Sequence, residues 1–126
     1  MSGGLASPRM RTVHPAGAPP AGHYSPGVVA RGLVFVSGQV AEGADAGAQA
    51  RGALEKVRGV LEAAGARLEH LVQLTFFVHG MEHWEAVNAA VAETLGAHRP
   101  ARAIIPVGDF GDGYLLEVTA IAALPE

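Results

Sequence analysis

The chain contains no cysteine. That excludes disulfide frameworks, thiolate zinc sites, iron–sulfur ligation and cysteine nucleophiles. A basic excess is missing too. The formal net charge is −3 and Lys56 is the single lysine. A module that neutralises a phosphate backbone needs surplus cations, so nucleic acid is not an expected partner. No apolar run approaches the roughly 18 residues of a spanning helix. Met1 to Met10 holds no apolar stretch of signal-peptide length. The expectation is a cytoplasmic protein with no membrane association.

Hydrophobic residues make up 49% of the chain and charged residues 17%, a balance that argues against intrinsic disorder. At 126 residues the chain has room for one domain. Residues 1–10 are small and polar and read as a flexible N-terminus, leaving 11–126 as the domain. Residues 14–27 hold four prolines and three glycines. That composition forbids regular helix and central strand, so the segment reads as a loop or arm.

The remaining chain alternates between two periods. Residues 28–30 and 33–37 are β-branched and aromatic around Arg31–Gly32, which reads as a hairpin. After a loop at 41–44, residues 45–64 carry a helical stripe of Ala46, Ala50, Ala53, Leu54, Val57, Val60, Leu61 and Ala64. Asp45 fits the N-cap and Gly65 the C-terminal stop. Residues 70–79 read as a strand with Val72, Leu74, Phe76 and Val78 on one face. Residues 82–95 read as a helix with Trp84, Val87, Val91 and Leu95 inward. Strands at 101–107 and 114–123 follow, joined by a Gly-rich turn at 108–113. The order ββαβαββ predicts an α+β fold: a mixed sheet with two helices on one face.

In the last strand Leu116, Val118, Ala120 and Ala122 can face the helices. Leu115, Glu117, Thr119 and Ile121 then point the other way and are still largely apolar. Such a second face implies cover by another subunit. The alternative is a monomer with scattered surface apolars.

Few residues carry chemistry. The six histidines, at 14, 23, 70, 79, 83 and 98, form no ligand pattern, and no metal site is expected. Asp109 and Asp112 fit turn geometry better than a calcium loop. Ser37 lacks the flanking glycines of a nucleophile elbow. Two charges stand out because they lie in apolar strands, Arg102 and Glu117. Unpaired burial there is costly. Either they pair across adjacent strands, or they work. A working Arg102 would grip a carboxylate bidentately, and Glu117 would position or deprotonate a water.

An ordered set of short segments then points to a family. These are Gly22-His-Tyr-Ser-Pro-Gly, Val34-Phe-Val-Ser-Gly-Gln-Val, Ala48-Gln-Ala, Leu61-Glu-Ala-Ala-Gly, Thr75-Phe-Phe-Val, Val87-Asn, Arg99-Pro-Ala-Arg and Leu116-Glu-Val-Thr-Ala-Ile-Ala. Over residues 14–123 the chain resembles the Rid family, the reactive intermediate deaminases also called YjgF. The resemblance implies a chorismate-mutase-like fold and a homotrimer whose sheets form a central barrel, with sites in the clefts between subunits. It implies hydrolysis of 2-aminoacrylate-type enamines and imines to 2-keto acids and ammonia, without cofactor.

By the same resemblance, Arg102 is the carboxylate-binding arginine and Glu117 holds the attacking water. Tyr24 closes the pocket, Ser37 and Gly38 line it, and Asn88 is structural. Position 104, often cysteine in the family, is Ile104 here. The loop 41–45 is shorter than usual, and Tyr24 stands in His-Tyr-Ser-Pro rather than Pro-Tyr-Ser-Gln. Three other functions stay open: a small-carboxylate binding or regulatory protein, a pathway enzyme for another imine or carbonyl substrate, and a ribonuclease, which the charge balance disfavours.

Overall fold

The structure, a computed structural model, describes residues 9–16 and 20–126. Most of the terminus expected to be flexible, and part of the 14–27 loop, lie outside the described residues. Eight regular elements follow one another: β1 (Met10–Val13), β2 (Gly27–Ala30), β3 (Leu33–Gln39), α1 (Ala46–Ala64), β4 (Leu71–Val78), α2 (Trp84–Leu95), β5 (Ala101–Pro106) and β6 (Leu116–Ala123).

One six-stranded sheet runs in the order β1-β2-β3-β6-β4-β5. All neighbours are antiparallel except β4 and β5, which are parallel and joined through α2. The last strand inserts between β3 and β4. Two consequences correct the reading from sequence. The 108–113 segment does not close a hairpin, because β4 separates β5 from β6. Arg102 and Glu117 therefore do not lie on adjacent strands.

The elements form for local reasons. Asp45 caps α1, its Oδ1 accepting from the Ala48 amide at 2.9 Å. Gly65 ends α1 at φ 94, and its amide donates back to Glu62 and Leu61 carbonyls. The β2–β3 turn has both Arg31 and Gly32 at positive φ, the geometry that matches strand twist. The full expected stripe of α1 is buried. It packs with Val34, Val36, Leu74, Phe76, Val78, Leu116, Val118, Ala120 and Ala122 in one core. Each Val, Leu or Phe among them contributes about 1.5–3 kcal/mol of burial, and each alanine less.

Two expectations about facing fail, and one strand was missed. Val72 is exposed and Leu71 is buried, because the β4–β6 register shifts between Leu71 and Gln73. A bulge there flips the side-chain alternation. Trp84 is 38% exposed rather than inward. Met10 belongs to β1, a strand missed because it reads MRTV and buries only Val13. Its Arg11 Nη2 donates to the Ala64 carbonyl at the end of α1, at 2.9 Å.

The face away from the helices is the one anticipated to need cover. Its register rows run Val28, Phe35, Ile121 and then Thr119, Thr75, Ala103 and then Glu117, Phe77, Ile105. Phe35 and Ile105 stand 41% and 40% exposed there.

Candidate active site

Strand register assigns Arg102 and Glu117 to opposite faces of the sheet. Arg102 is level with Leu74 and Ala120, whose neighbours point into the helix layer. Glu117 is level with Phe77 on the open face. Within one chain the two charges do not meet.

On the helix side, Arg102 Nη1 donates to Asn88 Oδ1 at 2.8 Å. Its guanidinium carbon lies 5.5 Å from the centroid of the Trp84 ring. Trp84 and Asn88 are four residues apart on α2, so one helical stripe presents both to β5. Asn88, expected to be structural, thus touches the arginine directly. The ion pairs among the described residues join Arg51 to Glu93, Arg58 to Glu55 and Arg67 to Glu69. Arg102 belongs to none of them. It opens on a cavity of about 540 Å³ lined by Asn88, Val91, His98, Arg99 and Pro100 among others, with no carboxylate in its wall. His98 is fixed by a 2.8 Å contact between Nε2 and the Leu71 carbonyl.

On the open side, Glu117 shares a shallow cavity of about 350 Å³ with Phe77, Val107, Asp109 and Phe110. It also leans over Gly38. A Cβ at position 38 would sit 2.7 Å from the Glu117 Cδ and 2.8 Å from Oε2. A larger residue at position 38 would have to displace the Glu117 carboxylate from this space. The backbone brings Gly38 there through a bulge between Val36 and Gln39.

Gly38 also lines a third cavity, of about 430 Å³, with Tyr24, Pro26, Gln39, Lys56 and Gly59. Gly38 thus touches Glu117 on one side and, on the other, the Tyr24 cavity, whose far wall is α1. Ser37 has a different part from the one expected. Its Oγ donates to the Ser25 carbonyl at 2.5 Å, and its amide donates to Pro26 at 2.9 Å. Ser37 pins the loop that carries Tyr24. Ile104 packs against the core and lines none of these cavities.

Sequence reading missed three contributors. Lys56 donates to the Val40 carbonyl at 2.7 Å and walls the Tyr24 cavity. Gln49 is 3% exposed. Its Nε2 donates to Gly43 and Gly113 carbonyls at 3.2 and 3.0 Å, and its Oε1 accepts from the Leu115 amide at 2.8 Å. It clamps the loop that carries Phe110. A glutamine inside an alanine-rich stripe was the available signal. Trp84 is the third, and its four-residue spacing from Asn88 was the clue.

The comparisons with known proteins agree with this architecture. A family model described as Endoribonuclease L-PSP matches residues 15–124. A RutC family protein of Pyrococcus horikoshii is 31% identical over 111 residues, 82% of this chain and 88% of the relative. The YjgF gene product of E. coli superimposes with a TM-score of 0.83 at 31% identity, over 90% of this chain and 98% of that one. E. coli TdcF, solved with bound serine, gives 0.83 at 28% identity over 91% and 99%. The chorismate-mutase-like fold is that of these neighbours. The chain belongs to the Endoribonuclease L-PSP family, the group also called YjgF or Rid.

Proposed function

We propose that the protein hydrolyses 2-imino and 2-enamino acids to 2-keto acids and ammonia, as a homotrimer with its sites between copies. One observation carries the reading. Arg102 is half-buried, held by neutral groups, and has no carboxylate partner among the described residues. A guanidinium so placed has an unmet need for an anion, and a substrate carboxylate fits its fork.

The chemistry asks little more. A water adds its oxygen to C2 of the imine while a proton reaches the nitrogen, giving a carbinolamine. The C2–N bond then breaks, ammonia leaves, and loss of the hydroxyl proton forms the ketone. Glu117 takes the proton of the incoming water and returns one to the departing nitrogen. Arg102 fixes the carboxylate so that C2 faces that water, which is an orientation effect. Gly38 leaves the Glu117 carboxylate its room, and Tyr24 closes the cleft from the loop that Ser37 pins.

Opposite faces for Arg102 and Glu117 support a cleft made by two copies, one giving the arginine and its neighbour the carboxylate. The open apolar face supports the same assembly, with sheets packed around a central barrel.

An amino-acid oxidase supplying imino acids in situ tests the activity. Acceleration of imine loss by the protein is expected, and Arg102→Ala should lower it at least about 100-fold while the assembly persists. Wild-type turnover in that variant refutes the reading. A second reading, binding of a small carboxylate without turnover, draws on the serine bound to TdcF. Carboxylate binding that needs Arg102, with no imine hydrolysis, would select it. The family description evokes RNA cleavage, but a net charge of −3 with one lysine offers a polyanion little.

A further inference from the structure

We infer that Trp84 is the positioning residue for Arg102, setting which edge of the guanidinium is offered to a ligand carboxylate. The inference rests on the proposed role of Arg102 as carboxylate anchor. Arginine brings a planar fork on a long flexible stem, and the fork is specific only if its plane is fixed. Here two contacts fix it. Asn88 Oδ1 consumes one Nη1 proton at 2.8 Å. The guanidinium carbon lies over the Trp84 ring, 5.5 Å from its centroid. A ring beneath a cation restrains it without using any of its N–H donors, whereas a carboxylate partner would occupy the fork. The other donors stay available for the ligand.

The exposure of Trp84 supports this assignment. A tryptophan that served only as core would be covered, yet this one is 38% exposed at the start of α2. Its neighbours on the helix, Val87 and Val91, do the packing and are buried. Asn88 cannot fix the plane alone, since a single hydrogen bond leaves the guanidinium free to turn about it.

The test uses 2-oxobutanoate and its uncharged amide as probes, titrated by calorimetry into the intact protein, Trp84→Phe, Trp84→Met and Arg102→Ala. Methionine keeps an apolar side chain and removes the ring; phenylalanine keeps a ring face. The expected result is a 2-oxobutanoate Kd raised about five- to twenty-fold in Trp84→Met and within about threefold of wild type in Trp84→Phe. The amide should bind alike in all forms. Imine turnover should show the loss in KM rather than in kcat. Trp84 is the sole tryptophan, so its emission in the parent protein should change on adding 2-oxobutanoate and stay unchanged in Arg102→Ala.

Unaltered carboxylate affinity in Trp84→Met, or equal losses in the methionine and phenylalanine variants, overturns the inference while leaving Arg102 as anchor. Equal 2-oxobutanoate binding by Arg102→Ala and wild type overturns the anchor reading itself, and this inference with it.

Discussion

Glu117 and Gly38 show how a single missing atom can hold a functional group. The carboxylate lies where a Cβ on residue 38 would be, at 2.7 Å. Alanine at this position must push Glu117 aside, because its Cβ would fall within 3 Å of the carboxylate. The expected outcome of Gly38→Ala is an assembled protein whose imine turnover falls by about tenfold or more, since the base has left its station. Thermal melting beside the turnover assay checks it, and a normal rate would place the base elsewhere. The two charges were legible as residues worth explaining, because charge in an apolar strand needs a reason. Their mutual position was not legible. Adjacent strands in sequence are often adjacent in space, and that habit misleads here, where β4 stands between.

Elements were mostly legible where one period dominates. The α1 stripe, its Asp45 cap and its Gly65 stop all appear in the structure as read. Failures occurred where the period breaks. The bulge near Val72 inverted one end of β4, and β1 carried too few apolar residues to announce itself. Gln49 escaped for another reason: a buried amide looks like an error in a helix stripe until its partners are known. Its three hydrogen bonds tie α1 to the loop before it and to the approach to β6. Gln49→Leu leaves two carbonyls and an amide short of partners. Its expected cost is about 2–4 kcal/mol, read by denaturant unfolding. A change below about 0.5 kcal/mol would mean that water replaces the clamp.

The whole molecule presents a covered side and an open one. Helices seal one face of the sheet, while Phe35, Ile121, Phe77 and Ile105 line the other. Sequence anticipated this second face from the composition of the last strand. What it could not express is the division of the candidate site: Arg102 with Asn88 and Trp84 on the helix side, Glu117 with Gly38 at the bulge of β3 on the other. A second copy that brings its open face to the β5 edge of the first would reunite them, and this is the central claim of the proposed mechanism.

Subunit mixing tests it most directly. Arg102→Ala and Glu117→Ala chains are each expected to be nearly inactive alone. In a ring of three containing both variants, one cleft takes Arg102 from one copy and Glu117 from its neighbour. Co-expression in equal amounts should therefore restore about one third of the clefts in about three quarters of the trimers, or about a quarter of wild-type imine hydrolysis. Activity no higher than that of either parent, in mixed assemblies verified by mass, would contradict a cleft shared between copies.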